Sequence, residues 1–399
     1  MMVENRFDCI VVGGGPTGLM SALALEKAGL TVALVAPQAT APAARTTALF
    51  ETSLELPRRL GLEDELNAIG EPLAVMRLID DTGSFIQAPE VSFRACEVDR
   101  PHFGLNIANA KLTEVLDQAV GKKPNIERHQ APATGIDYEE NAVVVHLETG
   151  AILQAEILVA ADGRRSFARE RAGIGTRGWS LPQTALVLLF EHSRAHENVS
   201  TEFHRPYGPF TQVPLDHHVS SLVWVEKPDV AERLLALEVS DLERKIELIS
   251  RRLFGSVKVV EKPSAYPLST LVAKRFADKK TFLVGEAAHA FAPIGAQGLN
   301  LGVRDVSDLA RILGRAKSTN DLANEAVQKR YHDQRTSDVW VRTLGVEALN
   351  RSLITRSAIM PVARGLLLTA AERITPFRRL MMHHGMAAKT GIAPYQTGP

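Results

Sequence analysis

The sequence predicts an α/β fold with a Rossmann-like domain, an inserted antiparallel sheet and a helical C-terminal region. Three observations carry this. Residues 7–12, FDCIVV, run into a G-x-G-x-x-G turn and then into an apolar helical segment. Residues 176–274 contain alternating segments such as TALVLLFEH and HVSSLVWVEKP, which suit half-buried antiparallel strands. Residues 331–399 read as helices.

Bulk properties narrow the function. The chain has 399 residues, 45% hydrophobic and 23% charged, enough for one large domain or two. The formal net charge is zero, so nothing global favours nucleic acid. The segment MMVENRFDC lacks the basic-then-apolar layout of a secretory signal. No apolar run reaches the length of a spanning helix. Cys9 and Cys96 form no CxxC pair, which fits a reducing cytoplasm and disfavours dithiol or zinc chemistry.

The first strand, 7–12, shows no alternation, as expected of a strand buried on both faces. Gly13, Gly15 and Gly18 follow it, in GGGPTG. Gly13 suits a tight turn, Gly15 a close approach to a pyrophosphate, and Gly18 close helix–strand packing. The helix LMSALALEKAG ends at Gly29, and the next strand is TVALVA, 31–36. A helix N-terminus in this setting offers free N–H groups and partial positive charge to phosphates. The acid that ordinarily closes the second strand is missing, because Ala36, Pro37 and Gln38 stand there.

Further along, Arg45 in ARTTALF lies after the second strand, at an expected helix start, as a lone cation beside the cradle. The decoy GIGTRG, with Gly173, Gly175 and Gly178, follows a charged helical stretch and reads as a loop. AEILVAADGRRSFARE (155–170) reads as strand, Asp162-Gly163 turn and helix. Asp162 and Ser166 taken alone read as helix caps, and the neighbouring arginines as a phosphate surface. The strand KTFLVG leads into GEAAHAFAPIGAQG, then into a helix with Leu299, Val303, Val306 and Leu309 at helical spacing. A second helix N-terminus near Gly298 thus points at whatever the first cradle holds. His289 reads as a histidine satisfied by backbone rather than a catalytic one.

Taken in order, these stretches resemble the group A flavin monooxygenases, with the para-hydroxybenzoate hydroxylase fold. Within that group the chain is similar to the UbiH/UbiF/VisC family of ubiquinone-biosynthesis hydroxylases. The likeness rests on FGLNIANAKLTEVL (103–116), TEFHRPYGPFTQVPL (201–215), RYHDQRTSD (330–338) and above all GEAAHAFAPIGAQGLNLGVRDVSDL (285–309). It spans essentially the whole chain.

The resemblance implies FAD as cofactor, in a GR2-type Rossmann-like domain made of residues 1–75, 101–175 and 275–330. It implies a substrate domain of residues 76–100 and 176–274, with 331–399 as the helical end. Gly13, Gly15 and Gly18 would hold the pyrophosphate, with Arg45 beside it. Asp162 would lie near FAD and a passing NAD(P)H. Glu286 occupies the position of an aspartate that holds the ribityl chain. Pro293, Gly295 and Gln297 would line the flavin and the substrate cavity, while Gly298, Leu299 and Asn300 would give backbone donors to the ring. A glycine- and proline-rich stretch with one carboxylate suits a flat, largely apolar ring system. Departures from the family pattern are Glu286 for Asp, Ala36 and Ala43 for acids, and WSLPQTA without a tyrosine before its glutamine.

The implied reaction is ring hydroxylation of a polyprenylated phenol with NAD(P)H and O2, through a flavin C4a-hydroperoxide. The cofactor would carry the chemistry. No Ser-His-Asp set is needed or found, and the sequence names no base. Other readings are a hydroxylase of a soluble aromatic compound and an accessory protein of a biosynthetic complex with weakened FAD binding. A flavin halogenase is disfavoured by the scattered Trp179, Trp224 and Trp340. Residues 353–384 mix apolar residues with Arg356, Arg364, Arg373, Arg378 and Arg379. Two readings stand for this stretch: packed helices with solvated arginines, or a basic apolar surface on a membrane. Oligomeric state is open.

Overall fold

The computed structural model describes residues 6–37, 45–83, 88–291 and 297–354, and beyond these 369, 370, 372–376, 378, 379 and 382. The side chains of 297 and 346–354 are excepted.

Strand β1 (Arg6–Val12), helix α1 (Pro16–Lys27) and strand β2 (Val32–Val35) form the expected opening unit. Five parallel strands follow one another across the sheet: Thr281–Leu283, Ile152–Ala160, β1, β2 and Ile126–His129. From Phe7 to Val12 every residue of β1 is buried, which accounts for the absence of alternation. A hairpin, Ala133–Tyr138 with Val143–Leu147, extends this sheet in antiparallel fashion beside Ile152–Ala160.

A second sheet runs in the order His289–Ala290, Ser264–Ala273, Thr176–His192, Val219–Glu226, Gly208–Asp216, Val199–Arg205, Val75–Asp80, Val91–Arg94. Its described pairings are antiparallel except that between Val199–Arg205 and Val75–Asp80. The two faces of this sheet differ. Leu188, Phe203, Phe210, Leu222 and Trp224 are buried beneath Ala231, Leu234, Leu242 and Ile246 of the helices Pro228–Leu235 and Val239–Ile249. Their strand neighbours Val187, Leu189, Thr211, Val213 and Val223 point the other way and are only half-buried.

The half-covered face is turned toward the first sheet. A small sheet of Thr46–Phe50, Gly104–Ala108 and Glu71–Pro72 makes the join. The Thr46 hydroxyl donates to Ser221 Oγ at 2.9 Å, and Asn106 Nδ2 donates to the Pro214 carbonyl at 2.6 Å.

Two expectations are corrected here. Arg45 precedes a strand, Thr46–Phe50, rather than a helix, because that segment pairs with Gly104–Ala108. The GIGTRG stretch is a loop only up to Gly175. From Thr176 it is a strand paired with Ser264–Ala273, and Gly178 is needed there because a Cβ would lie 2.8 Å from the Thr270 carbonyl oxygen.

A buried ionic network fixes the turn at Gly285–Ala287 against the helices Gln297–Lys317 and Glu325–Ile354. One Asp305 oxygen accepts from the Gly285 amide at 2.9 Å and lies 2.7 Å from His289 Nε2. The other accepts from Arg335 Nε at 2.7 Å. Arg335 also reaches Asp308 and Asp338, each at 3.0 Å. Burial alone would lower the guanidinium pKa, but the charge of Asp305 and its neighbours raises it. His289 is therefore satisfied by a carboxylate, not by backbone. Removing one partner of a fully buried pair costs about 3–5 kcal/mol, whereas replacing both with apolar groups of similar volume is often near neutral. Arg335→Met should therefore lower stability by about that amount in denaturant unfolding, and Asp305→Leu/Arg335→Met by much less than the sum of the two single changes.

Candidate active site

The cradle between β1 and α1 uses its glycines in two ways. Gly13 has φ +127°, and a Cβ there would lie 2.3 Å from the Ala161 carbonyl oxygen. A Cβ on Gly18 would lie 2.0 Å from the Gly13 carbonyl oxygen. Both positions are closed by backbone. Gly15, the N-cap of α1, is extended (φ −76°, ψ 174°), and a Cβ there would meet nothing within 4 Å. No side chain caps this helix, so its first-turn amides face the open space at Gly15.

The helix Gln297–Lys317 repeats this arrangement. A Cβ on Gly298, in its first turn, would also meet nothing within 4 Å. Gly285 and Gly302 instead close on Thr17: their added Cβ atoms would lie 2.9 Å and 3.1 Å from its hydroxyl oxygen. Thr17 is the second residue of α1, so the two helices meet at their N-terminal ends. Their partial positive charges add over one open region.

Glu286 is the one exposed residue between Thr281 and Ala290. Its carboxylate has no partner among the described residues, while its neighbours are packed inside. The Asn300 side chain serves packing: Nδ2 donates to the Ala48 carbonyl at 2.7 Å, and Oδ1 accepts from the Phe50 amide at 2.9 Å. This ties the helix start to strand Thr46–Phe50. Leu299 is half-buried beside it. Pro293 and Gly295 lie outside the described residues, as does the side chain of Gln297.

Arg45 is exposed, with its guanidinium 4.5 Å from the centre of the Tyr266 ring in the second sheet. Asp162 caps a helix. It accepts from the Ala168 amide at 3.0 Å and from the Ser166 hydroxyl at 2.5 Å, while Ser166 Oγ accepts from the Arg169 amide at 2.9 Å. The local capping reading of that stretch is therefore present in the structure. Arg169 is buried and donates to the Ala287 carbonyl at 2.9 Å, so it steadies the turn that carries Glu286. Ala36 is buried, and its Cβ sits 2.7 Å from where a Gly14 Cβ would be.

Sequence reasoning missed the positioning residues Asp305, Tyr331, Arg335 and Asp338. The signal was present in the spacing. Tyr331, Arg335, Asp338 and Arg342 recur every three or four residues and so share one helix face. It also missed Glu202 and His204, which lie on a strand, Val199–Arg205, with polar residues on both sides of the buried Phe203.

An FAD fits this arrangement: a Cβ-free opening at each of two helix N-termini suits a pyrophosphate and a ring edge, and Glu286 is free for the hydroxylated chain between them. Comparison with known proteins agrees. The model of the FAD binding domain family matches residues 6–343, and the chain is a flavin-dependent monooxygenase. It belongs to the UbiH/UbiF/VisC family of FAD hydroxylases. It is 32% identical to the ubiquinone hydroxylase UbiL of Rhodospirillum rubrum, over 97% of this chain and 91% of that one. It is 27% identical to the 3-demethoxyubiquinol 3-hydroxylase of Escherichia coli, over 96% and 100%. In fold it is similar to p-nitrophenol 4-monooxygenase PnpA of Pseudomonas putida DLL-E4, with TM-score 0.79, 21% identity and coverage of 96% and 98%.

Two substitutions separate fold from cofactor binding. Gly15→Glu has room on the fold side and should purify folded but free of flavin, because it places bulk and negative charge at the phosphate site. Gly18→Ala should instead lose thermal stability, because the methyl group meets the Gly13 carbonyl. Absorbance at the flavin band and thermal melting read the two effects. Ala36→Glu should restore a charge-assisted hydrogen bond to a ribose hydroxyl and tighten FAD by about tenfold, measured by FAD titration.

Proposed function

We propose that this protein hydroxylates the aromatic ring of a prenylated phenol in ubiquinone biosynthesis, using FAD, NAD(P)H and O2. Bound FAD, reduced by NAD(P)H, supplies the activation of O2. In this reading the protein binds, orients and excludes water. Gly13, Gly15 and Gly18 admit the pyrophosphate, with Arg45 released from Tyr266 to reach it. Glu286 takes the ribityl hydroxyls. Backbone amides of Gly298, Leu299 and Asn300 face the ring edge, and Pro293 with Gln297 closes the cavity. Asp162 lies beside the Gly13 turn, on the nicotinamide path.

One observation supports the substrate class above the others. The sheet face opposite the two helix N-termini presents Val187, Leu189, Val213 and Val223 half-buried, although the other face of the same strands is sealed. An apolar wall left partly open suits an aromatic ring with a hydrocarbon substituent. A peripheral membrane contact accords with such a substrate. No described helix is long and apolar enough to cross a membrane, but Val341 is 70% and Leu344 63% exposed, one turn apart on one helix. Arg373 and Arg379 are exposed further on, while Arg378 is paired with Glu97 at 2.7 Å.

The test is spectroscopic. Purified protein titrated with FAD should bind it saturably, and anaerobic NADPH or NADH should bleach it. Bleaching should quicken when a prenylated phenol is present. Absence of saturable FAD binding would overturn the reading, and a response to soluble phenols alone would move it to that substrate class.

A further inference from the structure

The half-open face of the second sheet carries an ionisable cluster around Glu202 and His204. Register places Val187, Val223, Thr211, Glu202 and Leu78 side by side across five strands. Ser221, two residues from Val223, touches Thr46 on the strand that follows the cradle, so this row belongs to the wall facing the FAD domain. Four of the five are uncharged, and Glu202 is the exception.

Glu202 is held from two sides. His204 Nε2 lies 2.8 Å from one carboxylate oxygen, and the Thr211 hydroxyl donates to the other at 3.1 Å. An ionised carboxylate only accepts, so His204 must carry its proton on Nε2. His204 is 4% exposed, and its Nδ1 is buried with no hydrogen-bond partner among the described residues. The imidazole thus spends its one bond on Glu202. Buried polar groups are seldom left half-satisfied without a reason. Burial tends to raise the carboxyl pKa of Glu202, but the hydrogen bond and charge of His204, with Thr211, leave it below its ordinary value. The Glu202 side chain keeps 18% of its surface exposed, against 6% for His204. The carboxylate is therefore the part of this cluster that a bound molecule can reach.

We propose that Glu202 is the hydrogen-bond acceptor for the ring hydroxyl of the phenol, with His204 and Thr211 as positioning residues that orient its carboxylate. This rests on the phenol-hydroxylase reading above and names the residue that recognises the phenol. An anionic acceptor on the hydroxyl increases electron density on the ring, which is what an electrophilic oxygen transfer requires, and no proton need leave the substrate at that step. The same contact distinguishes a free phenol from its ether, because the ether has no hydrogen to donate and leaves a buried carboxylate lone pair unmet.

The experiment uses the FAD-loaded full chain and two probes, 2-geranylphenol and its O-methyl ether, with binding read by perturbation of the flavin absorbance. Wild type should bind the phenol at least about tenfold more tightly than the ether. Glu202→Gln keeps the shape but exchanges an anionic acceptor for a neutral amide, and should lower that ratio several-fold. His204→Ala should reduce it in the same way, and His204→Gln, which retains an N–H donor, should restore part of it. A purely structural role for His204 would weaken both probes alike and leave the ratio unchanged. Should Glu202→Gln fail to retain FAD, Thr211→Val tests the orientation of the same carboxylate and should lower the ratio more modestly. Wild-type discrimination in the Glu202 and His204 variants would overturn this assignment alone. Equal binding of the two probes by wild type would overturn it together with the phenol reading.

Discussion

The buried carboxylate of Asp305 is the constraint on which the site depends. It receives the Gly285 amide, His289 and Arg335 at once, and each lies on a different element. The consequence is geometric. Gly285 is held at φ +58°, against Thr17 of the first helix, so the following residue has nowhere to point but outward. Glu286 is exposed because its neighbours are fixed. A charged anchor of this kind adds little stability relative to apolar packing. What it adds is direction, and a cofactor site needs direction.

Around that anchor, glycines act in two opposite ways. At Gly13, Gly18, Gly285 and Gly302 the missing side chain allows protein to approach protein. At Gly15 and Gly298 it leaves a space that no atom of the described residues fills within 4 Å of an added Cβ. The first kind brings two helix N-termini together, and the second keeps them accessible. Tight packing and an open site are thus achieved by one residue type a few positions apart.

Much of this was legible in the sequence. The β1–α1–β2 unit and the Gln297–Lys317 helix were readable because glycine spacing and apolar period agree with each other there. The alternating middle likewise announced its sheet. Arg45 was misplaced onto a helix because pairing with Gly104–Ala108, over fifty residues away, decided the matter and leaves no local mark. The same is true of Gly178, whose strand identity depends on Thr270. Asp162 kept its helix-capping role, which local pattern had already suggested. The Asp305–Arg335 pair was hidden for another reason. Each residue looks like an ordinary surface charge until two helices are brought side by side. Glu202 and His204 were hidden because the strand VSTEFHR carries polar residues on both sides of the buried Phe203, so its alternation does not stand out.

The second sheet has one face sealed under two helices and the other only half-covered. The residues that keep it folded, such as Phe203, Phe210, Leu222 and Trp224, are therefore not the residues that line its open wall. Exchanging Val187, Leu189, Val213 or Val223 for other side chains changes the shape of that wall without entering the packed core. Over evolutionary time such a sheet can be retailored for new ring systems while its foldability is left alone. A common scaffold shared with proteins only about a fifth identical to it is the outcome expected of that division.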